Sequence, residues 1–198
     1  PETSFSWEAG VKLAKPVRGL SATFAAFEIT RQNVPTPDPA NPFFQIQTGE
    51  QRSRGLEVDA IWEPVSAFSL LANYAFLDAE VTRDELLPVG DRLRRSPKHS
   101  GRLAARYRFP EGRLARLEIG GGVTARSRRE ITVPNVDSTP GYWLADAQAS
   151  YELGRVSLAL SITNITDAEE LDPFLYLDQS VVAPVEGRAA FLTIRTRF

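Results

Sequence analysis

Two clusters of arginine are the residues in this sequence whose type and spacing best suit the binding of a ligand. Their members are Arg92, Arg94, Arg95, Arg126, Arg128 and Arg129. A guanidinium group stays charged at every relevant pH and can hold a carboxylate or phosphate through two parallel hydrogen bonds. The sequence therefore predicts an anion-binding surface, and a run of solvated charges is the alternative interpretation.

Aromatic side chains in two other polar stretches could pack on the apolar parts of such a ligand. They are Phe43, Phe44, Phe174 and Tyr176. Rings commonly line small-molecule sites, but rings in loops also pack within the loop or lie at a membrane interface. The predicted ligand-binding set combines these four residues with Arg92, Arg94, Arg95, Arg128 and Arg129.

Other reactive residue types indicate neither catalysis nor a metal site. A pair of carboxylates for acid–base chemistry could be drawn from Asp78, Glu80, Asp84 and Glu85, but acidic residues in a polar stretch are ordinarily solvated. His99 is the only histidine and cysteine is absent, whereas a zinc site takes several such ligands. No phosphate-binding glycine loop or nucleophile motif occurs. We therefore expect no enzyme, no cofactor and no metal.

The composition narrows the function classes further. A formal net charge of −2 over 198 residues gives no basic field for nucleic acid. No apolar window is long enough for a membrane-spanning helix. The mean hydropathy of −0.23 does not exclude a membrane barrel, whose strands alternate lipid-facing and lumen-facing residues. Methionine is absent and the chain opens on Pro1-Glu2-Thr3, so we expect an internal or C-terminal piece of a longer protein.

The elements that must position these residues are β-strands, because apolar residues recur with period two. In residues 56–62, the residues Leu56, Val58, Ala60 and Trp62 alternate with Glu57 and Asp59. Residues 99–109 likewise place Arg102, Arg106 and Arg108 opposite Leu103, Tyr107 and Phe109. Three arginines on one strand face need water or acidic partners. The pattern predicts a sheet with one apolar face and one wet, charged face.

About nine strands are predicted, at 4–15, 20–31, 50–63, 67–80, 97–109, 115–128, 142–152, 155–165 and 187–198. Several reach the length of about 9–11 residues that a tilted membrane-spanning strand needs. Short turns at 15–19, 63–66, 110–113 and 153–155 alternate with long polar loops at 32–49, 81–96, 129–141 and 166–186. This alternation is typical of outer-membrane barrels.

Proline and glycine predict two local features. The loop at 32–49 holds Pro35, Pro37, Pro39 and Pro42, and proline cannot donate to a strand ladder, so we expect this segment to stay outside the sheet. Gly120-Gly121-Gly122 lies within a strand pattern, which indicates a β-bulge or a close approach by another segment.

Several stretches resemble the TonB-dependent outer-membrane siderophore receptors, and together they cover most of the chain. Residues 19–34 resemble a late barrel strand and its exit, residues 51–58 the start of the next strand, and residues 73–82 the strand that follows. Ser96-Pro97-Lys98-His99-Ser100 resembles the beginning of a further strand. Asn164-Ile165-Thr166-Asp167 is similar to the Asn-Leu-Phe-Asp that ends the penultimate strand, with Ile-Thr in place of Leu-Phe. The chain closes on Phe198, as these barrels do.

The resemblance implies an all-β fold: an antiparallel transmembrane β-barrel segment with about nine of the roughly 22 strands of such a barrel. Alone it would be an open curved sheet. Residues 1–198 would be the C-terminal part of the barrel domain, without the plug domain. Charged residues lining the lumen would be Glu57, Asp59, Arg102, Arg106, Arg108, Glu118, Arg126, Asp146 and Arg195. Phe198, with Ile194 and Leu192 before it, would be the signal for barrel assembly, unless it merely ends an ordinary strand.

The resemblance also implies active uptake of a ferric siderophore or a similar scarce nutrient across the outer membrane of a Gram-negative bacterium. The partners would be that ligand, the TonB complex through the missing N-terminal part, outer-membrane lipid and lipopolysaccharide, and the barrel-assembly machinery, with no nucleic acid. The arginine clusters would attract an anionic ferric chelate or lipopolysaccharide phosphates. A non-transporting barrel (porin, adhesin or signalling receptor) and a soluble lipocalin-like binding barrel are the alternatives.

Overall fold

Most of the chain forms one antiparallel sheet. The computed structural model describes residues 1–38, 40, 43–176 and 179–197. Its strands are β1 (Thr3–Ala14), β2 (Leu20–Pro37), β3 (Gln45–Val65), β4 (Phe68–Arg83), β5 (His99–Arg108), β6 (Leu117–Arg126), β7 (Arg129–Glu130), β8 (Ser138–Thr139), β9 (Tyr142–Leu153), β10 (Val156–Thr163), β11 (Leu171–Tyr176), β12 (Gln179–Pro184) and β13 (Ala189–Thr196). Nine of them pair in the order β1-β2-β3-β4-β5-β6-β9-β10-β13. Each of these nine matches a predicted strand, so the all-β prediction is confirmed.

Short turns and long loops alternate between neighbouring strands of this sheet, as predicted, except after β2. Short turns follow β1, β3, β5 and β9, and the turn after β5 contains a single turn of 3₁₀ helix at Gly112–Leu114. Long connections follow β4, β6 and β10, whereas β2 and β3 extend into the loop predicted at 32–49 and leave only residues 38–44 between them. The turns after β1, β3, β5 and β9 lie at one end of the sheet, the turn end, and the connections after β2, β4, β6 and β10 lie at the other, the loop end.

The sheet remains open. Within the described chain, β1 pairs only with β2 and β13 pairs only with β10, so these two strands are its edges. A lipocalin-like barrel would instead close on itself, and that alternative prediction is wrong for this chain. No helix among the described residues is long and apolar enough to cross a membrane.

The register divides the side chains of the sheet into an apolar face and a polar face. One row on the apolar face runs through Val11, Phe24, Val58, Tyr74, Gly101, Ala125 and Trp143. The neighbouring row on the polar face runs through Lys12, Thr23, Asp59, Asn73, Arg102, Thr124 and Leu144. All nine charged residues predicted to line a lumen lie on the polar face, because directly opposed residues share a face.

The apolar face has no second layer packed against it in the described chain. Phe5 on β1 remains 70% exposed and Leu192 on β13 remains 67% exposed. The accessible surface is 13264 Å², whereas a compact protein of this mass would expose about 9,300 Å². The sheet therefore lacks the core of a globular domain, and its apolar side chains need another apolar medium.

The proline-rich segment after β2 corrects one prediction, because Pro35 and Pro37 do join the ladder. They lie opposite Gln47 and Gln45 of β3, beyond a register shift at Asn33, whose φ is 57°. The Asp38 N–H donates to the Phe44 carbonyl at 3.0 Å, so the backbone nitrogens of the two prolines, at odd positions, point away from β3. In the described chain β1 pairs no further along β2 than Gln32, so the two prolines interrupt no ladder there.

The glycine triplet in β6 forms no bulge, so that alternative of the prediction is wrong, while the close approach of another segment stays a prediction. The pairing of β5 with β6 is unbroken from Ser100 opposite Arg126 to Arg108 opposite Glu118. A Cβ at Gly122 would lie 2.7 Å from Arg102 Nη2. The small residue therefore leaves room on the polar face for the guanidinium of Arg102.

Two long connections contain strands of their own, where the sequence predicted polar loops. β7 pairs with β8 in the connection after β6, and β11 pairs with β12 in the connection after β10. Asn164 closes the base of the latter connection: its amide donates to the carbonyls of Ala168 and Glu186 at 3.0 and 3.1 Å. The motif Asn164-Ile165-Thr166-Asp167 thus holds the β11–β12 hairpin in place.

Candidate functional site

Two connections, those after β6 and β10, meet at the loop end of the polar face, around the carboxylate of Asp172 on β11. Tyr142 Oη donates to Asp172 Oδ1 at 2.9 Å, and Arg126 Nη1 lies 3.4 Å from Asp172 Oδ2. Arg129 Nη1 also donates to this carboxylate, and Arg129 Nη2 donates to the Leu171 carbonyl at 3.1 Å. We refer to Arg126, Arg129, Tyr142 and Asp172 as the Asp172 cluster. It attaches the β11–β12 hairpin to the ends of β6 and β9.

Two members of the Asp172 cluster, Arg129 and Tyr142, are buried, and they make the cluster a structural junction. Arg129 is only 3% exposed, and its guanidinium lies over the ring of Tyr142, 4.9 Å from the centroid. Burial of the Asp172 carboxyl opposes ionisation, but hydrogen bonds from Arg129 and Tyr142 and the charges of both arginines hold its pKa below the ordinary 3.8. The carboxylate is therefore ionised at neutral pH and keeps the arginines paired.

Asn135 joins the connection after β4 to the connection after β6. Its side-chain oxygen accepts from the Arg92 N–H at 2.6 Å, and its amide donates to the Arg92 carbonyl at 2.9 Å. The Asn135 N–H donates to Asp91 Oδ2 at 2.8 Å. The Arg92 guanidinium donates to Asp78 at 3.4 Å and to the Leu77 carbonyl at 3.0 Å. Arg92 is therefore held between a loop and the end of β4.

The other predicted arginines are more open to solvent. Arg94 is exposed and its Nη1 lies 3.5 Å from Ser180 Oγ on β12. Arg95 is exposed, and its backbone N–H donates to the Glu130 carbonyl at 2.8 Å. Arg128 pairs with Glu130 at 3.2 Å and keeps more than half of its side chain exposed. Arg94 and Arg95 can reach a ligand without breaking a buried contact, whereas Arg128 would have to leave the buried carboxylate of Glu130.

The four aromatic residues lie in two separate places. Phe174 and Tyr176 alternate with Asp172 along β11 and therefore share its face of the hairpin. Phe43 and Phe44 lie at the tip beyond β2 and β3, where Phe43 is 96% exposed. Whether any of the nine predicted residues bind a ligand remains a prediction.

A cavity of about 410 Å³ with both polar and apolar walls lies between the β11–β12 hairpin and the polar face of the sheet. Its lining includes Arg126, Tyr142, Asp146, Gln148, Thr163 and Asp172. This arrangement offers charge and hydrogen bonds but no activated nucleophile. Among the described residues, no group of His, Cys, Asp or Glu could hold a metal ion. The chemistry of the cavity lining suits non-covalent binding of a ligand.

Sequence reasoning missed Tyr142, Asp172 and Asn135, which organise this end of the sheet. Asp172 lies more than 40 positions from Arg126 and Arg129, so no local spacing could have indicated the contact. Of the predicted assembly signal, Leu192 and Ile194 lie exposed on the apolar face of β13. Phe198 lies outside the described residues.

Comparison with known proteins matches residues 1–165 to the model of one family, described as "TonB dependent receptor-like, beta-barrel". The metal-pseudopaline receptor CntO of Pseudomonas aeruginosa is 37% identical over 204 residues, which cover 100% of this chain and 28% of that receptor. The ferrichrome outer membrane transporter/phage receptor of Escherichia coli is 30% identical over 174 residues, covering 85% of this chain and 23% of that protein. The chain spans less than a third of the length of these relatives.

Solved structures give the same fold. The ferric preacinetobactin receptor BauA of Acinetobacter baumannii superposes with a TM-score of 0.81 at 25% identity, covering 96% of this chain and 29% of BauA. The ferric yersiniabactin uptake receptor FyuA of Yersinia pestis superposes with a TM-score of 0.84 at 17% identity, covering 100% of this chain and 30% of FyuA.

Proposed function

Because the chain belongs to the family of TonB-dependent receptor-like β-barrels, we propose that it is part of the barrel wall of an outer-membrane transporter. This protein would take up a ferric siderophore or a similar metal chelate into a Gram-negative bacterium. The family is one of transport receptors, and its members named above bind ferric or metal chelates. The chain would be the C-terminal part of the barrel domain, and a plug domain would belong to the remainder of the protein.

The observation that carries this proposal is the division of the sheet into two faces without a globular core. An apolar face that remains exposed suits contact with lipid hydrocarbon, while the polar face suits a wet lumen. Open edges cannot remain within a bilayer, because each unpaired backbone group would cost several kcal/mol there. β1 and β13 would therefore pair with strands of the rest of the barrel.

Ligand capture would occur at the loop end, which we place outside the cell. Arg94, Arg95 and Arg128 would attract an anionic chelate, and the rings of Phe174 and Tyr176 would pack on its organic part. Phe43 and Phe44 would contribute from the separate tip beyond β2 and β3. Arg92 and Arg129 would meet the ligand only if their present contacts opened, so their first role is to hold the loops.

Transport would need partners beyond this chain. Energy would come from the TonB complex, acting through the N-terminal part of the protein. Outer-membrane lipid and lipopolysaccharide would surround the apolar face. The barrel-assembly machinery would recognise the terminal strand through Leu192, Ile194 and Phe198.

Uptake by the full-length protein tests the proposal. The protein would be expressed in a Gram-negative host lacking its own siderophore receptors, and entry of radioactive iron as ferric siderophores of several classes would be measured. We expect uptake of at least one chelate, and its loss in the same host without TonB. A folded, surface-exposed barrel that imports no chelate from a broad panel, or that imports equally without TonB, would contradict the proposal.

A further inference from the structure

A short segment of the connection after β4 lies between β4 and the connection after β6. Residues 91–93 bond to the backbone of β4 through two hydrogen bonds of 2.9 Å, one at each end of the segment. Because these bonds use the side of the segment that faces β4, the N–H and C=O of Arg92 point away from β4. The next two residues, Arg94 and Arg95, form an exposed turn. The position of this turn therefore depends on what binds the outward side of Arg92.

Asn135, in the connection after β6, occupies the place that a neighbouring strand would take on that outward side. Its side-chain oxygen accepts from the Arg92 N–H at 2.6 Å, and its amide nitrogen donates to the Arg92 carbonyl at 2.9 Å. The same nitrogen donates to the Thr132 carbonyl at 3.0 Å, so the side chain is fixed within its own loop as well. An amide supplies this acceptor and both donors from one planar group, which neither a carboxylate nor a hydroxyl can do.

A second contact from the connection after β6 holds the turn at Arg95. This residue has a φ of 67°, a left-handed conformation that is uncommon for residues other than glycine. Its N–H donates to the carbonyl of Glu130 at 2.8 Å, and Glu130 is only 7% exposed. The Glu130 carboxylate also pairs with Arg128 at 3.2 Å. Unfavourable backbone conformations that the surroundings maintain cluster at ligand-binding sites, and here the residue in that conformation carries an exposed cation.

We propose that Asn135 is a positioning residue for ligand capture, which orders the turn of Arg94 and Arg95 before an anionic chelate arrives. The Asn135 side chain hydrogen-bonds only to backbone groups in the described chain, so it acts on the two arginines through the backbone. Preorganisation raises affinity, because less conformational freedom is then lost when the chelate binds. The inference rests on the capture role proposed above for Arg94 and Arg95, but it does not require transport.

Trypsin cleavage tests the positioning without any ligand. The full-length protein in detergent would be digested briefly, and cleavage after Arg94 and Arg95 would be measured by mass spectrometry. Asn135→Ala should increase this cleavage, because proteolysis follows the population of the opened segment. Val136→Ala is the control, since Val136 is the next residue and is 76% exposed. Equal cleavage of the two variants would overturn the inference.

Binding of anionic chelates tests the consequence for capture. The probes would be radioactive iron(III) citrate and an iron(III) tris-catecholate, measured by equilibrium dialysis against the detergent-purified full-length protein. Asn135→Ala should weaken the binding of at least one probe about tenfold, and Val136→Ala should leave it unchanged. In protein that already carries Arg94→Gln and Arg95→Gln, Asn135→Ala should have no further effect. Heat-modifiable electrophoretic migration would verify that each variant is a folded barrel.

The outcomes separate this inference from the proposed function. An equal loss of binding on Asn135→Ala with and without the two arginines would assign the effect to the loop as a whole and overturn the positioning role. A wild-type protein that bound neither probe would also overturn the inference, while TonB-dependent uptake of an uncharged or cationic chelate would leave the proposed function standing. Binding of a probe without TonB-dependent uptake of any chelate would contradict the proposed function alone.

Discussion

The two faces of the sheet differ in how their side chains are satisfied, although the same strands build both. On the polar face, charged groups pair across strands: Arg102 Nη1 lies 2.6 Å from Asp146 Oδ2, and Arg108 Nη2 lies 2.7 Å from Glu118 Oε2. On the apolar face, residues such as Leu192 remain exposed with nothing packed over them. The difference indicates that the polar face suits water and the apolar face suits an apolar solvent such as lipid hydrocarbon. The fold therefore needs both environments at once.

The largest effect is expected when the sheet is produced alone, without a membrane and without the rest of the barrel. Residues 1–198 expressed alone should not form a soluble monomer, because the apolar face and the unpaired edges β1 and β13 would meet water and promote aggregation. Sedimentation in buffer and in detergent measures this. A soluble monomer with cooperative unfolding would remove the contrast between the faces and the membrane proposal with it.

The second largest effect is expected from an arginine introduced on the apolar face of β10, compared with an arginine on its polar face. Leu158→Arg in the full-length protein should destabilise the folded barrel by roughly 2–4 kcal/mol if Leu158 lies near the bilayer midplane. Ser157→Arg places the same side chain on the polar face, one position away, and should have little effect. Heat-modifiable migration after folding into lipid vesicles compares them. Equal tolerance would mean that the two faces of β10 do not meet different media.

Removal of one partner from a polar-face pair should have a smaller effect. Asp146→Asn leaves Arg102 without its carboxylate above Gly122, and should cost about 1–2 kcal/mol, since both side chains keep about a third of their surface exposed. Glu57→Gln is the control, because Glu57 lies on the same face without an ion-pair partner among the described residues. Urea unfolding in lipid vesicles gives both values. Similar values would mean that the pairing on the polar face contributes nothing.

The smallest expected effect concerns the loop end, where the polar face continues into the Asp172 cluster. Asp172→Asn should loosen the β11–β12 hairpin by about 1 kcal/mol, since the carboxylate is partly exposed. The folded-state pKa of Asp172 is lowered, so its contribution is present above the ordinary pKa of 3.8 and is lost as pH falls through the folded value. Proteolysis of the hairpin should therefore increase with acid in the wild type only. If acid increased proteolysis equally in Asp172→Asn, the acid response would come from groups other than Asp172.

The nine-stranded framework could be predicted from the sequence because alternation is a local property. β4, predicted at 67–80, spans Phe68–Arg83, and β10, predicted at 155–165, spans Val156–Thr163. Side-chain facing followed from the same rule, so the charged residues of the polar face were assigned without any tertiary information.

The loop end was less predictable because its contacts join distant parts of the chain. Arg128 and Arg129 are neighbours in the sequence and carry the same charge, yet only Arg129 is buried against Tyr142. Tyr142 begins β9, 13 residues later, so the local sequence could not show this contact. β2 was predicted too short because proline was taken to exclude a residue from any strand. Proline lacks only the N–H donor, so it is excluded only where its nitrogen faces a paired neighbouring strand. Pro35 and Pro37 face an edge that β1 does not reach in the described chain.

The unbroken pairing of β4, β5, β6 and β9 has a mechanical consequence. Hydrogen bonds of an antiparallel pair lie perpendicular to the strands, so a force along the strands loads all the bonds of a pair in shear rather than opening them one after another. If cargo or a plug is pulled through the lumen, drag on Arg102 or Asp146 acts largely in that strong direction. The wall can then remain rigid while whatever moves beside it yields.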